Sequence, residues 1–390
     1  MLDIEHELTD PELMSERVAF HARLMAEEQA AAAICDRVLQ GPSRWWGNAL
    51  DQVEGVHTAG MVAVLISRAE DVVPKRPAEA LDLVDLALRV AEGIAEDAYP
   101  YEHLLKIRGQ AMRERSFVLS YMGRFREAAA TAEFARVLLV QIPLPLLELA
   151  RLDLVKSNIA RNMEKYAEAA ELARNAGKTF LEFGSRVSWL KALQFEAAAL
   201  FSQGGFAEAR EVWRVCEAYA ELIDPADHAV LLYNLGMCAS ELGDGDEAAH
   251  YLSPAAAAFE KLGHRVPGAK CRYLAGRSLM AAGAYGEAIE TLQRSWHELE
   301  ELEAIGDAVL PALLLVEAFL IVGRTQEVPA ICRLLIDRCT RGGMPTSAMT
   351  ALAFLRETVA TGHASPAMVR QIHDFLRDSA DMRRAARLAP

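Results

Sequence analysis

The sequence predicts an all-α chain, a right-handed α-solenoid of stacked helical hairpins with a helical cap at each end. Three observations carry this. The 390 residues are 52% hydrophobic but only 7% aromatic, and alanine and leucine dominate with little β-branched alternation, which is helix composition. A short pattern, Gly-x-aromatic-x-Glu-Ala, recurs as Gly123-Arg-Phe125-Arg-Glu127-Ala128, Gly204-Gly-Phe206-Ala-Glu208-Ala209 and Gly283-Ala-Tyr285-Gly-Glu287-Ala288. Glu164-Lys-Tyr166-Ala-Glu168-Ala169 is a further copy, and Gly243-Asp-Gly245-Asp-Glu247-Ala248 and Gly323-Arg-Thr325-Gln-Glu327-Val328 are weaker ones. Successive copies start 41, 40, 39, 40 and 40 residues apart. So regular a period means an array in which each unit buries its face against the next.

Taken in order, residues 1–57 form an irregular helical cap. Asp10-Pro11-Glu12 is a helix start, with Pro suited to the first helical position. Gly41-Pro42-Ser43 breaks the chain, and Trp45-Trp46 follows. Adjacent tryptophans point to different sides of a helix; the pair either plugs the first repeat or offers a contact surface to a partner or a second copy. Residues 58–101 are a degenerate first hairpin: a helix over about Thr58–Ala69, a break at Pro74-Lys-Arg-Pro77, and a second helix from Ala78 to near Glu96. Terminal units of arrays are atypical because one face is a cap.

Residues 102–344 hold six regular hairpins. Helix A precedes each turn and helix B follows it. The turn Glu sits in the first turn of helix B, where the dipole favours an anion. Small residues recur at fixed phase. Five past the turn position lie Ala128, Ala169, Ala209, Ala248 and Ala288, with Val328 the exception; seven before it lie Ser116, Ser157, Ala197, Gly236, Gly276 and Val316. Close helix–helix packing demands this on both helices. Residues 345–390 are C-terminal capping helices and a basic tail: Thr346–Val359, a stop at Thr361-Gly362-His363, and a last helix begun by the cap Ser365 and Pro366.

These residues give the unit its likeness. It resembles the tetratricopeptide repeat, with a small residue in helix A, a Gly-x-aromatic turn and two alanines in helix B. Two departures stand out. The period is about 40 residues rather than about 34, and the bulky aromatic expected early in helix A is replaced by Met112, Asp153, Leu193, Leu232, Arg272 and Ala312. Long-period repeats of this kind look similar to those of bacterial peptide-sensing regulators and of the sensor arms of large signalling ATPases, a likeness of fold.

Composition excludes several classes. A net charge of −14 argues against nucleic acid or an anionic membrane as the main partner. The six cysteines form no CxxC pair and none stands at metal-ligand spacing from histidine, so they are expected to be reduced buried thiols in a cytoplasmic protein. The start of the chain lacks an apolar signal core, and the run Val309–Val322 is short for a bilayer and holds Glu317. There is no catalytic signature and no dinucleotide fingerprint, so neither enzyme activity nor a cofactor is expected. Gly243-Asp244-Gly245-Asp246-Glu247 lacks the full calcium-loop ligand pattern and falls on a repeat turn.

The inner wall of a hairpin array is lined mainly by helix A. Positions thirteen, ten and six before the turn share one helix face. They place Arg113, Arg151, Asn158, Lys191, Gln194, Tyr233, Lys270, Tyr273 and Arg277 on that wall, with Arg161 one turn further. Basic, amide and tyrosine side chains suit an acidic peptide or a chain end presenting its carboxylate; the alternative is that the charges pair with neighbouring glutamates. The leading expectation is an interaction scaffold or adaptor that captures a partner protein segment in this groove. The second is a sensor in which a peptide or small ligand releases a partner. The third is a homo-oligomer built through Trp45-Trp46 or the apolar sixth and seventh units around Leu313–Val322. The acidic first 40 residues lack a helix-turn-helix pattern, which counts against a stand-alone transcription regulator.

Overall fold

The computed structural model describes residues 11–73, 76–341 and 346–378, and every regular element among them is helical. The acidic first residues, the break at 74–75, the 342–345 loop and the basic tail beyond 378 lie outside the described residues. The chain divides into two compact units, Met1–Ala199 and Leu200–Pro390.

The first unit begins with α1 (Pro11–Val38), a short 3-10 turn at Ser43–Trp45 and α2 (Trp46–Asp51). Hairpins follow: α3 (Ala59–Val72) with α4 (Pro77–Glu92), α5 (Tyr101–Tyr121) with α6 (Phe125–Leu139), and α7 (Leu146–Asn162) with α8 (Tyr166–Glu182). Helix α9 (Arg186–Ser202) begins the next and carries the chain into the second unit. There the order is α10 (Phe206–Glu217), α11 (Pro225–Glu241), α12 (Gly245–Lys261), α13 (Arg265–Ala281), α14 (Tyr285–Glu301), α15 (Ile305–Ile321), α16 (Val328–Arg341), α17 (Thr346–Ala360) and α18 (Pro366–Asp378). Thr58 caps α3 by accepting from the Met61 N–H at 3.1 Å. Helix α4 stops at Glu92, short of the expected Glu96, where Gly93 follows.

The turns explain the repeat. Gly123, Glu164, Gly204, Gly243, Gly283 and Gly323 all have positive φ. At each, the next N–H returns to a carbonyl five residues back, as Arg124 to Leu119 at 2.9 Å and Ala284 to Leu279 at 3.0 Å. This is the Schellman closure that satisfies a helix end and favours glycine. The turns from helix B to the next helix A use the same closure at Gly184, Gly263 and Glu303. In these three hairpins the two turns are equivalent, and the sequence pattern marks one of them.

The small residues do what their phase predicts. Ala128, Ala169, Ala209, Ala248 and Ala288 are fully buried. Ser116 Oγ donates to the Ala128 carbonyl at 2.8 Å, and one repeat later Ser157 Oγ donates to Ala169 at 2.8 Å. In the second unit glycine replaces the serine. A Cβ on Gly276 would stand 2.7 Å from Leu292, and one on Gly236 would stand 2.6 Å from Leu252. Successive A helices touch each other as well as their own B helices: α3 meets α5 and α5 meets α7 in the first unit, and α11 meets α13 and α13 meets α15 in the second.

Helix α18 breaks the alternation. As the partner of α17 it would continue the outer row. Instead its main contact is α15, an A helix of the preceding hairpin. Val369, Ile372, His373 and Leu376 are buried there, and they recur at helical spacing along one face. This accounts for α15 being apolar on nearly all sides, since Leu313, Leu314, Leu315 and Val316 are all buried. The Leu313–Val322 stretch, which the sequence offers as an oligomer surface, is thus mostly covered by the chain itself.

Candidate functional site

Each unit carries a wall of A helices, and the predicted residues lie on these walls. In the first unit the centre is Glu148, in the first turn of α7 and only 5% exposed. Its carboxylate accepts from Gln110 Nε2 at 3.0 Å, Arg113 Nη1 at 2.9 Å and Arg151 Nη1 at 2.7 Å. Arg113 also holds Glu114, at 2.9 Å through Nε. A buried carboxylate needs such partners, and a helix N-terminus adds favourable dipole. The cluster fixes Arg113 as a buried strut and leaves half of the Arg151 side chain open.

One turn along, Asn158 donates to Ser120 Oγ at 3.2 Å and accepts from Arg161 at 3.1 Å. Lys191 is exposed and Gln194 half-buried, both on α9. Glu70 on α3 is open to water yet walled by protein. The resulting desolvation raises its carboxyl pKa; Glu114 adds to that, while Arg113 and Lys191 oppose it. The wall therefore mixes acids with the predicted bases.

In the second unit Lys270 reaches Asp307 at 2.8 Å, and Asp307 lies in the first turn of α15. Arg277 Nη2 meets Glu241 at 2.7 Å and donates to Ser240 Oγ at 2.8 Å. Tyr233 is half-buried edge-on to Phe259, with ring centroids 6.5 Å apart, and burial raises its pKa. Tyr273 is buried, its hydroxyl 2.9 Å from His373 Nε2 on α18, and burial pushes its pKa up to about 12. The structure thus brings Arg113 and Arg151 together through Glu148, and Asn158 with Arg161. It turns Tyr273 toward the chain's own last helix.

Two registers recur. Gln110 to Glu148 and Lys270 to Asp307 both link one A helix to the first turn of the next. Asn158 to Ser120 and Arg277 to Ser240 both link an A helix back to the one before. Glu148, Asp307, Ser120 and Ser240 were not among the predicted residues. Their signal is present in the repeat alignment, sixteen and three positions before the turn.

Trp46 is buried and its Nε1 donates to the Gly41 carbonyl at 2.8 Å, whereas Trp45 is 54% exposed beneath the Arg44 guanidinium. All six cysteines are buried, and none is in a disulfide. Burial lifts their thiols to about 11 or 12, which disfavours the nucleophilic thiolate. Among the described residues no cluster of His, Cys, Asp and Glu could hold a metal ion, and no helix is long and apolar enough to cross a membrane. Asp244 caps α12 by accepting from the Glu247 N–H at 3.0 Å, so the calcium-like segment is a helix start.

No protein-family model and no curated protein sequence matches the chain. Solved structures do match. The apo form of RapI is 17% identical, with a TM-score of 0.54, over 71% of this chain and 98% of that one. Aspartyl phosphate phosphatase F from Bacillus subtilis is 15% identical, with a TM-score of 0.52, over 86% of this chain and 87% of that one. A signal-transduction ATPase with a tetratricopeptide repeat sensor, from Pyrococcus horikoshii, is 11% identical, with a TM-score of 0.60, over 83% of this chain. The match spans only 53% of that ATPase chain. At these identities the likeness is one of fold, and by fold this chain is a tetratricopeptide-like helical-hairpin repeat protein.

Proposed function

We propose that the chain is a non-enzymatic interaction scaffold that holds a segment of a partner protein against the A-helix wall of its first unit. Arg151 and Lys191 supply charge, Asn158 and Gln194 bond the partner's backbone, and Arg161 extends the face. The observation that carries this reading is the Glu148 cluster. It anchors Arg151 from a buried carboxylate, so the guanidinium is ordered before any partner arrives, and preorganised donors bind at lower entropic cost. The preferred partner presents carboxylates, as an acidic segment or a chain end does.

The test is affinity capture from native lysate with the full chain and with Arg151→Glu/Lys191→Glu. Circular dichroism confirms that the variant stays helical. One protein held by the wild type and lost by the folded variant supports the reading. A partner that survives charge reversal sinks it and directs attention to Trp45. The sensor reading keeps one specific observation in its favour, the helix lying on the wall of the second unit.

A further inference from the structure

The wall of the second unit already holds a helix. Helix α18 sets Val369, Ile372, His373 and Leu376 against it. Three features distinguish this seat from ordinary core. First, the seat is made of wall residues: Tyr273 bonds His373, and Arg277 lines the cavity beside α18 with Ser278, Arg370 and Asp374. Second, Glu317 is only 1% exposed, and the arginine it meets is Arg370 of α18, which is itself 60% exposed. A buried carboxylate with a half-solvated partner adds little net stability, because its desolvation offsets the attraction. Third, about 390 Å³ of space remains beside α18 on this face.

We propose that α18 is a resident occupant of a helix-binding wall. Its place can be taken by an amphipathic helix of a partner protein bearing an arginine opposite Glu317. α18 itself gives the recognition pattern. An apolar residue is followed directly by arginine, with further apolar positions three and seven residues after the first, as in Val369-Arg370, Ile372 and Leu376. The wall reads the apolar row by packing and the arginine by Glu317, which is the helix-in-groove mode. This rests on the reading that A-helix walls are the binding surfaces, applied to the second unit. The partner chemistry here is basic and amphipathic, unlike that of the first.

The experiment uses the full chain and a labelled, end-blocked peptide spanning 365–378. The peptide is titrated by fluorescence anisotropy against the wild type and against Ile372→Glu/Leu376→Glu, which undocks the chain's own α18. The peptide binds the variant at least about tenfold more tightly than the wild type, because self-occupancy lowers apparent affinity by the vacant fraction. A peptide carrying Arg370→Glu binds the variant at least about tenfold more weakly, since it sets a like charge against Glu317. Equal binding to both proteins, or indifference to the Arg370 change, overturns the proposal.

Should the variant fail to fold, hydrogen exchange on the wild type decides. Amides of α18 exchange through an opening that leaves α13 and α15 protected if the helix is displaceable. They exchange together with α15 only on global unfolding if it is not, and that result also overturns the proposal. None of these arms touches Arg151 or Lys191, so failure here and failure of lysate capture remain distinct.

Discussion

The two walls are built on one register and finished with different chemistry. In the first unit the link from an A helix back to its predecessor is Asn158 to Ser120; in the second the same link is Arg277 to Ser240. The forward link is Gln110 to Glu148 in the first and Lys270 to Asp307 in the second. What differs is the use of the buried carboxylate. Glu148 is satisfied within the wall by three side chains, and the surface around it stays polar and open. Glu317 is satisfied from outside the wall, by a helix that covers it. The repeat scaffold sets where a side chain stands. The neighbours supplied to it decide whether that place is exposed surface or a docking seat.

Replacing the two glutamates should give the largest contrast. Glu148→Ala takes from Arg113, itself nearly buried, one of its two carboxylate partners and leaves it Glu114, a loss of about 2–3 kcal/mol. Glu317→Leu removes a carboxylate whose pKa burial already raises, and it returns Arg370 toward water. Swapping a buried pair for well-packed apolar groups is about neutral or stabilising. Hydrogen exchange, resolved by unit, should show lost protection in α5 and α7 for the first variant and none in α15 for the second. Equal losses would mean that both carboxylates are structural and that the contrast between the walls is only apparent.

Acid should act on the second wall. His373 is almost fully buried, and burial pushes it down to about 4 despite Asp374 beside its Nδ1. Tyr273 faces its Nε2, and Arg277 and Arg377 oppose a positive ring. A folded pKa below the free value of about 6.5 gives stability that is full above that value and lost as pH falls toward 4, roughly 3 kcal/mol over the window. Glu317 has the opposite sign: its raised pKa gives stability that is present in acid and lost as pH rises, so it offsets part of the loss at the low end. α18 amides should lose protection between about pH 6.5 and 4 while α7 amides hold theirs. His373→Gln, which cannot titrate, should flatten that dependence; an unchanged slope would assign it elsewhere.

Much of this was legible. The Gly-x-aromatic-x-Glu-Ala copies predicted the turns because a left-handed Schellman closure favours glycine and the following helix start favours an acid. Ser116, Gly276 and their equivalents predicted close packing, and they provide it. The second set of turns was only half legible: Gly184 and Gly263 are visible at the half period, but Glu303 adopts the same conformation with no glycine to signal it. The position of α18 was not legible. Its amphipathic pattern says that one face is buried and does not say against what, and the Tyr273–His373 contact spans 100 residues. One hint was available: α15 is apolar on nearly all sides, and such a helix needs cover on both faces.

The smallest effect tests the shared register itself. Arg151 and Lys270 occupy the same phase, and both meet an acid in the first turn of an A helix. Their surroundings differ. Glu148 keeps Gln110 and Arg113 when Arg151 is removed, and the Arg151 side chain is about half exposed, so Arg151→Ala should cost at most about 0.5 kcal/mol. Asp307 is almost buried and meets Lys270 from the neighbouring helix, so Lys270→Ala should cost about 1–2 kcal/mol by leaving that carboxylate poorly paired. Raising salt should shrink the first difference and leave most of the second, because screening reaches exposed pairs first. Denaturation midpoints at low and high salt measure both. If the two substitutions cost the same at every salt concentration, phase alone sets the energetics and the walls differ less than their chemistry implies. If only Lys270 matters, the first wall holds Arg151 at almost no cost to the fold, which is the condition for offering that charge to a partner.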